Sequence, residues 1–119
     1  TQRIVRMALD AGAQVPAAAR AAAEQNKPLW RVPVVHDSEH SAVKFASGAM
    51  RLGVSRLYGR TMGEFAGTSA TQAKQRWPEA WRLSRTLTTL PSHGRLGEHD
   101  QRELGLLLRA SQVDWLEER

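Results

Sequence analysis

The stretch SRLYGRTMGEF, residues 55–65, gathers the side chains best suited to hold an anion. Arg56 and Tyr58 alternate, which puts both on one face of a strand, and Arg60 follows in a turn opened by Gly59. Two guanidinium groups beside a phenol can grip a phosphate or a carboxylate through forked, charge-assisted hydrogen bonds. The same pattern also suits two solvated arginines and a tyrosine that only packs, and the residues alone leave the two readings even.

Nothing else in the chain assembles into a reacting centre. The histidines are His36, His40, His93 and His99. His36 and His40 are four apart, but one falls at a strand end and the other at a helix start, so they do not share the face a zinc pair needs. His93 follows Pro91 and Ser92 in a turn that its ring can fix by bonding nearby backbone. Structural roles are expected for all of them. Glu98, Asp100 and Glu103 open the last helix, where negative charge complements the helix dipole. No GxSxG elbow and no glycine-rich phosphate loop occurs. Lys27, Lys44 and Lys74 fall at a helix end, in mid-helix and in a loop, none with the apolar surround that activates a Schiff-base lysine. The absence of cysteine excludes a disulfide, a thiolate metal site and a thiol nucleophile. No catalytic residue, metal ligand or cofactor-binding residue is assigned.

Composition narrows the class further. With 119 residues the chain supports one domain, and 41% hydrophobic against 24% charged residues is ordinary for a globular fold. Its apolar runs are too short to cross a membrane, so no membrane partner is expected. The N-terminus TQRIVRMALDAGA has a charged, helical pattern rather than a secretory leader, and cysteine-free composition agrees with a cytoplasmic location. An opening Thr1 in place of Met fits a trimmed piece of a longer chain. The net charge of +5 comes from fourteen Arg and three Lys against twelve acids. The excess lies before residue 77, since residues 77–119 carry six basic and seven acidic groups. Such an excess can attract nucleic acid or a phosphorylated small molecule. Aromatic residues are few and scattered, however, so nucleic acid ranks last among the expected partners.

These side chains must be carried by short alternating elements. Residues 1–12 read as a helix with Ile4, Val5, Ala8 and Leu9 on one stripe, and a second helix runs from about Pro16 to Asn26. LWRVPVV, residues 29–35, is a strand in which Pro33 demands an edge or a bulge. A helix opened by Asp37 or Ser38 and stopped at Gly53 should bury Val43, Ala46, Ala49 and Met50. VSRLY, residues 54–58, is a short strand, and the Gly-, Thr- and Ser-rich residues 59–76 read as loop. Pro78 opens a short helix to about Ser84, and RTLTTL is a third strand. PSHGRLG turns the chain into a last helix over residues 98–110, burying Leu104, Leu107 and Leu108, with Trp115 on the same face if it extends. The expected fold is α+β: a two-layer sandwich with a short, mainly antiparallel three-stranded sheet and helices on one face.

Taken together, LWRVPVV, RLGVSRLYGR and RTLTTLPSHGRLGEHDQREL resemble the C-terminal small domain of the DegT/DnrJ/StrS family of pyridoxal-phosphate-dependent aminotransferases, the sugar aminotransferases. Leu90, Pro91 and His93 match the family's Leu-Pro-Thr-His turn with Ser92 for Thr, and Asp100 matches the acid that opens the last helix. The similarity covers about residues 29–110. It implies the small domain of a type I aminotransferase fold at residues 29–119, with residues 1–28 a helical segment continuing from a large domain. It also implies pyridoxal phosphate in the full-length enzyme, anchored by a lysine outside this chain, and none bound by this chain alone. Partners would be the missing large domain or a homodimer partner. The chain would then wall the substrate pocket through Ser55, Arg56, Tyr58 and Arg60 during amino transfer to a keto substrate, a nucleotide sugar in the family. After the tyrosine many members carry a Pro-Leu-His run, whereas this chain has Thr61, Met62 and Gly63, which weakens the case for a nucleotide sugar. The alternative is a standalone interaction or dimerisation module of the same fold, without enzyme activity.

Overall fold

The computed structural model describes residues 1–56, 59–92 and 96–117, with side chains described through residue 112. Two helices come first, α1 (Gln2–Asp10) and α2 (Ala17–Glu24), followed by the strand β1 (Arg31–Val35). Helix α3 (Glu39–Gly48) continues into a single 3-10 turn at Met50–Leu52. Three short helices follow, α4 (Met62–Phe65), α5 (Ala70–Arg76) and α6 (Pro78–Thr86), then β2 (Leu87–Pro91) and the long α7 (Glu98–Glu117). The result is a small α+β domain on a two-stranded antiparallel sheet. No described helix is long and apolar enough to cross a membrane.

Strand β1 pairs with β2 so that Val32 faces Leu90 and Val34 faces Thr88. These four side chains share one sheet face and are fully buried. Against that face pack Ile4, Val5 and Ala8 of α1, Phe45 of α3, and Leu104 and Leu108 of α7, in one continuous apolar cluster. Residues 1–28 thus contribute to the same core as residues 29–119. On the opposite face Arg31 Nε donates to Thr89 Oγ1 at 2.7 Å, and Arg31 also bonds the Gly53 carbonyl. Pro33 lies where its missing N–H does no harm, because among the described residues the sheet continues beyond β1 only as a single bridge between Gln14 and Val35.

Among the described residues, the third strand expected over 54–58 is present as a single bridge at Ser55. Ser55 exchanges both backbone hydrogen bonds with Thr89, at 3.2 and 2.7 Å, on the far edge of β2. Extending that ladder would pair Gly53 with Pro91, which has no N–H to give, while Gly53 sits at φ +93°, in the left-handed region. Leu57 and Tyr58 lie outside the described residues.

Other expectations shift in phase or extent. Helix α3 buries Ala42 and Phe45, with Ala49 just beyond its end, whereas Val43 and Met50 are exposed. The single large aromatic, Phe45, sets which stripe faces the core. Leu9 likewise turns outward although Ile4, Val5 and Ala8 are buried. Residues 62–76, expected as loop, hold two helices that begin with capping hydroxyls. Thr61 Oγ1 accepts from the Glu64 N–H while the Glu64 carboxylate accepts from the Thr61 N–H, a reciprocal capping box. Ser69 Oγ caps α5 through the Gln72 N–H. Arg85 and Thr86, expected in the strand, end helix α6 instead, and β2 runs through Pro91. In α7, Leu104 and Leu108 are fully buried and Leu107 partly so.

Candidate functional site

A cleft of about 440 Å3 opens beside the start of β2, between the segment 56–63 and helix α6. Arg56, Gly59, Arg60 and Thr61 line one side, and Trp77, Ala80, Leu83, Ser84 and Leu87 the other, with Met62 and Gly63 closing the end. Of the sequence candidates, Arg56 and Arg60 come together here. Ser55 does not line the cleft: its hydroxyl lies 3.1 Å from Thr89 Oγ1 and serves the sheet edge. Tyr58 lies outside the described residues, as does His93.

The arginine side chains are held differently. Arg56 Nη2 donates to the Arg85 carbonyl at 3.2 Å, and the guanidinium lies 4.0 Å from Glu39 Oε2. Its Nε is buried without a hydrogen-bond partner. Gly59, between the two arginines, sits at φ +71°, a left-handed conformation that favours glycine. Arg60 is exposed and has no carboxylate partner among the described residues.

The two walls are tied by charge. Arg85 on α6 grips the Glu64 carboxylate on α4 with two bonds, 2.5 Å from Nη1 and 2.7 Å from Nη2. Both side chains are well covered, at 13% and 7% exposure. The Arg85 hydrogen bonds hold the Glu64 carboxyl down at about 2, helped by the Thr61 N–H and hydroxyl, and Glu64 in turn raises the Arg85 pKa. Trp81 is flanked by two cations, the Arg85 guanidinium at 4.6 Å and Lys74 Nζ at 4.9 Å from the ring centre, which ties α5 to α6. Gly63 completes the tie, because a Cβ there would fall 2.2 Å from the Trp77 ring. Only glycine lets the indole pack so close.

Sequence reasoning missed Trp77, Gly63 and the Glu64–Arg85 pair. A signal for part of it was present: Thr61-Met62-Gly63-Glu64 has the spacing of a capping box, and Ser69 precedes Gln72 by the same interval. Neither marks a long helix, so both were lost among the surrounding glycines and threonines.

The other chemistry-bearing groups have structural settings. His36 is buried, with Nε2 2.8 Å from Thr88 Oγ1 and its ring 5.3 Å from that of Phe45. Burial pushes its pKa down to about 4, so it is neutral at ordinary pH. His99, Asp100 and Glu103 lie close together at the surface of α7, and Glu103 is already paired with Arg51. Pyridoxal phosphate, which the family resemblance implies for a full-length enzyme, does not fit the residues of this chain. Lys27, Lys44 and Lys74 are all exposed and none lines the cleft, so no lysine has the desolvated surround an imine needs. What the cleft can do is bind: it sets cationic donors against an apolar wall. Comparison of the chain with protein-family models, with curated proteins and with solved structures returned no match.

Proposed function

We propose that this α+β domain walls the substrate pocket of a pyridoxal-phosphate-dependent aminotransferase of the DegT/DnrJ/StrS type, with cofactor and lysine supplied by another domain or chain. The reaction is amino transfer from an amino acid, glutamate being the expected donor, to a keto substrate. The domain contributes no reacting group. Its part is to position the substrate through Arg56 and Arg60 and to exclude water with the apolar side of the cleft. The observation that carries this reading is the convergence of Arg56 and Arg60 on one cleft at the edge of β2. The resemblance of residues 29–110 to the family's small domain supplies the reaction class.

The test is amino transfer by the whole translation product of the gene, compared with its R56A/R60A double variant. Expected is transfer from glutamate, with the KM for the keto substrate raised about tenfold or more in the variant. A product that transfers no amino group, or a variant with unchanged KM, overturns the reading.

A second reading, a standalone interaction module, is favoured by one feature. Trp30 is 94% exposed, and Leu106, 69% exposed, borders a groove between α1 and α7. Exposed apolar surface of this kind marks contact sites. Sedimentation of the isolated chain separates the readings: a tight dimer that W30A dissolves supports the module.

A further inference from the structure

We infer that the cleft selects a small carboxylate with an apolar body, in preference to a sugar nucleotide or a bare phosphate. The inference rests on the pocket-wall reading above and names its substrate class.

The charged side comes first. Arg56 lines the cleft with a side chain 28% exposed, and its buried Nε has no acceptor. Arg60, across Gly59, is exposed and has no carboxylate partner among the described residues. No acidic side chain lines the cleft among the described residues. Glu64, the nearest acid along the chain, has both oxygens committed to Arg85 and faces the tie between the walls. An anion entering here therefore meets Arg56, whose guanidinium also lies 4.0 Å from Glu39 off the lining, and the exposed Arg60, with no described carboxylate on the lining.

The remaining wall decides what the anion carries. Met62 is 80% exposed and Trp77 40%, an unusual loss of apolar surface to water for two such side chains on one concavity. Leu83 and Leu87 continue the same wall. A hydrocarbon body laid against them gains about 25 cal/mol for each Å2 of apolar surface removed from water. A sugar needs several hydrogen-bonding partners instead, and among the described residues the cleft offers two hydroxyls, both engaged. Thr61 Oγ1 accepts from the Glu64 N–H, and Ser84 Oγ donates to the Trp81 carbonyl. A bare phosphate satisfies the arginines and leaves the apolar wall wet. The volume, about 440 Å3, lies in the range of small-molecule sites.

The test is a titration of the 119-residue chain followed by amide and indole NMR shifts, with four probes. These are 4-phenylbutyrate, the matching alcohol 4-phenyl-1-butanol, inorganic phosphate and UDP-glucose. Expected is saturable binding of phenylbutyrate that shifts Gly59, Thr61, Gly63 and the Trp77 indole, with the other three at least tenfold weaker. R60A should weaken phenylbutyrate about tenfold while leaving the rest of the spectrum in place. It is the cleaner variant, because Arg56 also bonds the Arg85 carbonyl.

An alcohol that binds as well as the acid overturns the inference, as does phosphate that shifts the same residues equally. A response to UDP-glucose alone overturns the carboxylate class and leaves the pocket-wall reading standing. A silent cleft, together with amino transfer indifferent to R60A, removes both.

Discussion

The two halves of this molecule are held together by different forces. Around β1, β2, α1, α3 and α7 the interior is aliphatic, with Val32, Val34, Leu90, Leu104 and Leu108 fully buried. Across α4, α5 and α6 the one buried hydrophobic side chain among the described residues is Ala73. That half coheres through the Glu64–Arg85 pair, the cations on Trp81 and two helix caps. Apolar burial is non-directional and little affected by salt, whereas charge-assisted bonds depend on geometry, pH and ionic strength. The difference teaches why the cleft lies where it does. A half that buries little apolar surface keeps apolar side chains free for a ligand, and the apolar half keeps the sheet edge rigid beside it.

The comparison breaks most visibly in the core. Leu104→Ala should cost about 2–5 kcal/mol in urea unfolding, because the cavity opens at a fully buried position. Leu83→Ala, in the cleft wall, should cost much less. Equal losses would mean that the two halves are one cooperative core.

Acid sharpens the contrast next. His36 ionises at about 4 in the folded chain against an ordinary 6.5, so the unfolded state binds the proton first. Stability is complete above pH 6.5 and falls as pH drops towards 4, by on the order of 3 kcal/mol in total. His36→Gln should flatten that part of the pH profile. A profile unchanged by the substitution would show that His36 is not the titrating group.

Glu64 acts in a lower window and a smaller region. Its folded pKa is about 2 against an ordinary 4.5, so its contribution is present above pH 4.5 and is lost as pH falls towards 2. Glu64→Gln should raise amide exchange in α4 at neutral pH while leaving α7 protected. Loss of protection in both helices would contradict the division. The smallest effect belongs to Arg60→Ala, which should alter stability by less than about 0.5 kcal/mol while removing most anion binding.

Legibility in the sequence followed the same divide. The periodic, well-buried elements could be read: the stripe Ile4, Val5 and Ala8, the alternation of Val32 and Val34, and the Leu104–Leu108 spacing all reflect a core face. Gly53 also stopped its helical segment as its sequence implied, at a positive φ. The stripe expected for α3 holds at Ala46 and Ala49 and fails at Val43 and Met50, which are as apolar as the Ala42 and Phe45 that face the core. What decides between the two is the fit of Phe45 beside the sheet, which no local pattern encodes. The polar half was harder. Helices of four and seven residues have too few turns for periodicity, and only the hydroxyls of Thr61 and Ser69 betrayed them. Arg56 and Arg60 were legible as a pair because they are close in sequence. Trp77 and Leu87 were not, since they reach the cleft from other elements.

The most direct measurement is amide hydrogen exchange of the chain with and without 4-phenylbutyrate, read peptide by peptide. In the free protein, residues 59–83 should exchange faster than β1, β2 and the first turns of α7, and the ligand should slow exchange chiefly in residues 59–83. A ligand that protects the core half instead, or a free protein whose halves exchange alike, would contradict a rigid apolar frame carrying an adaptable binding wall.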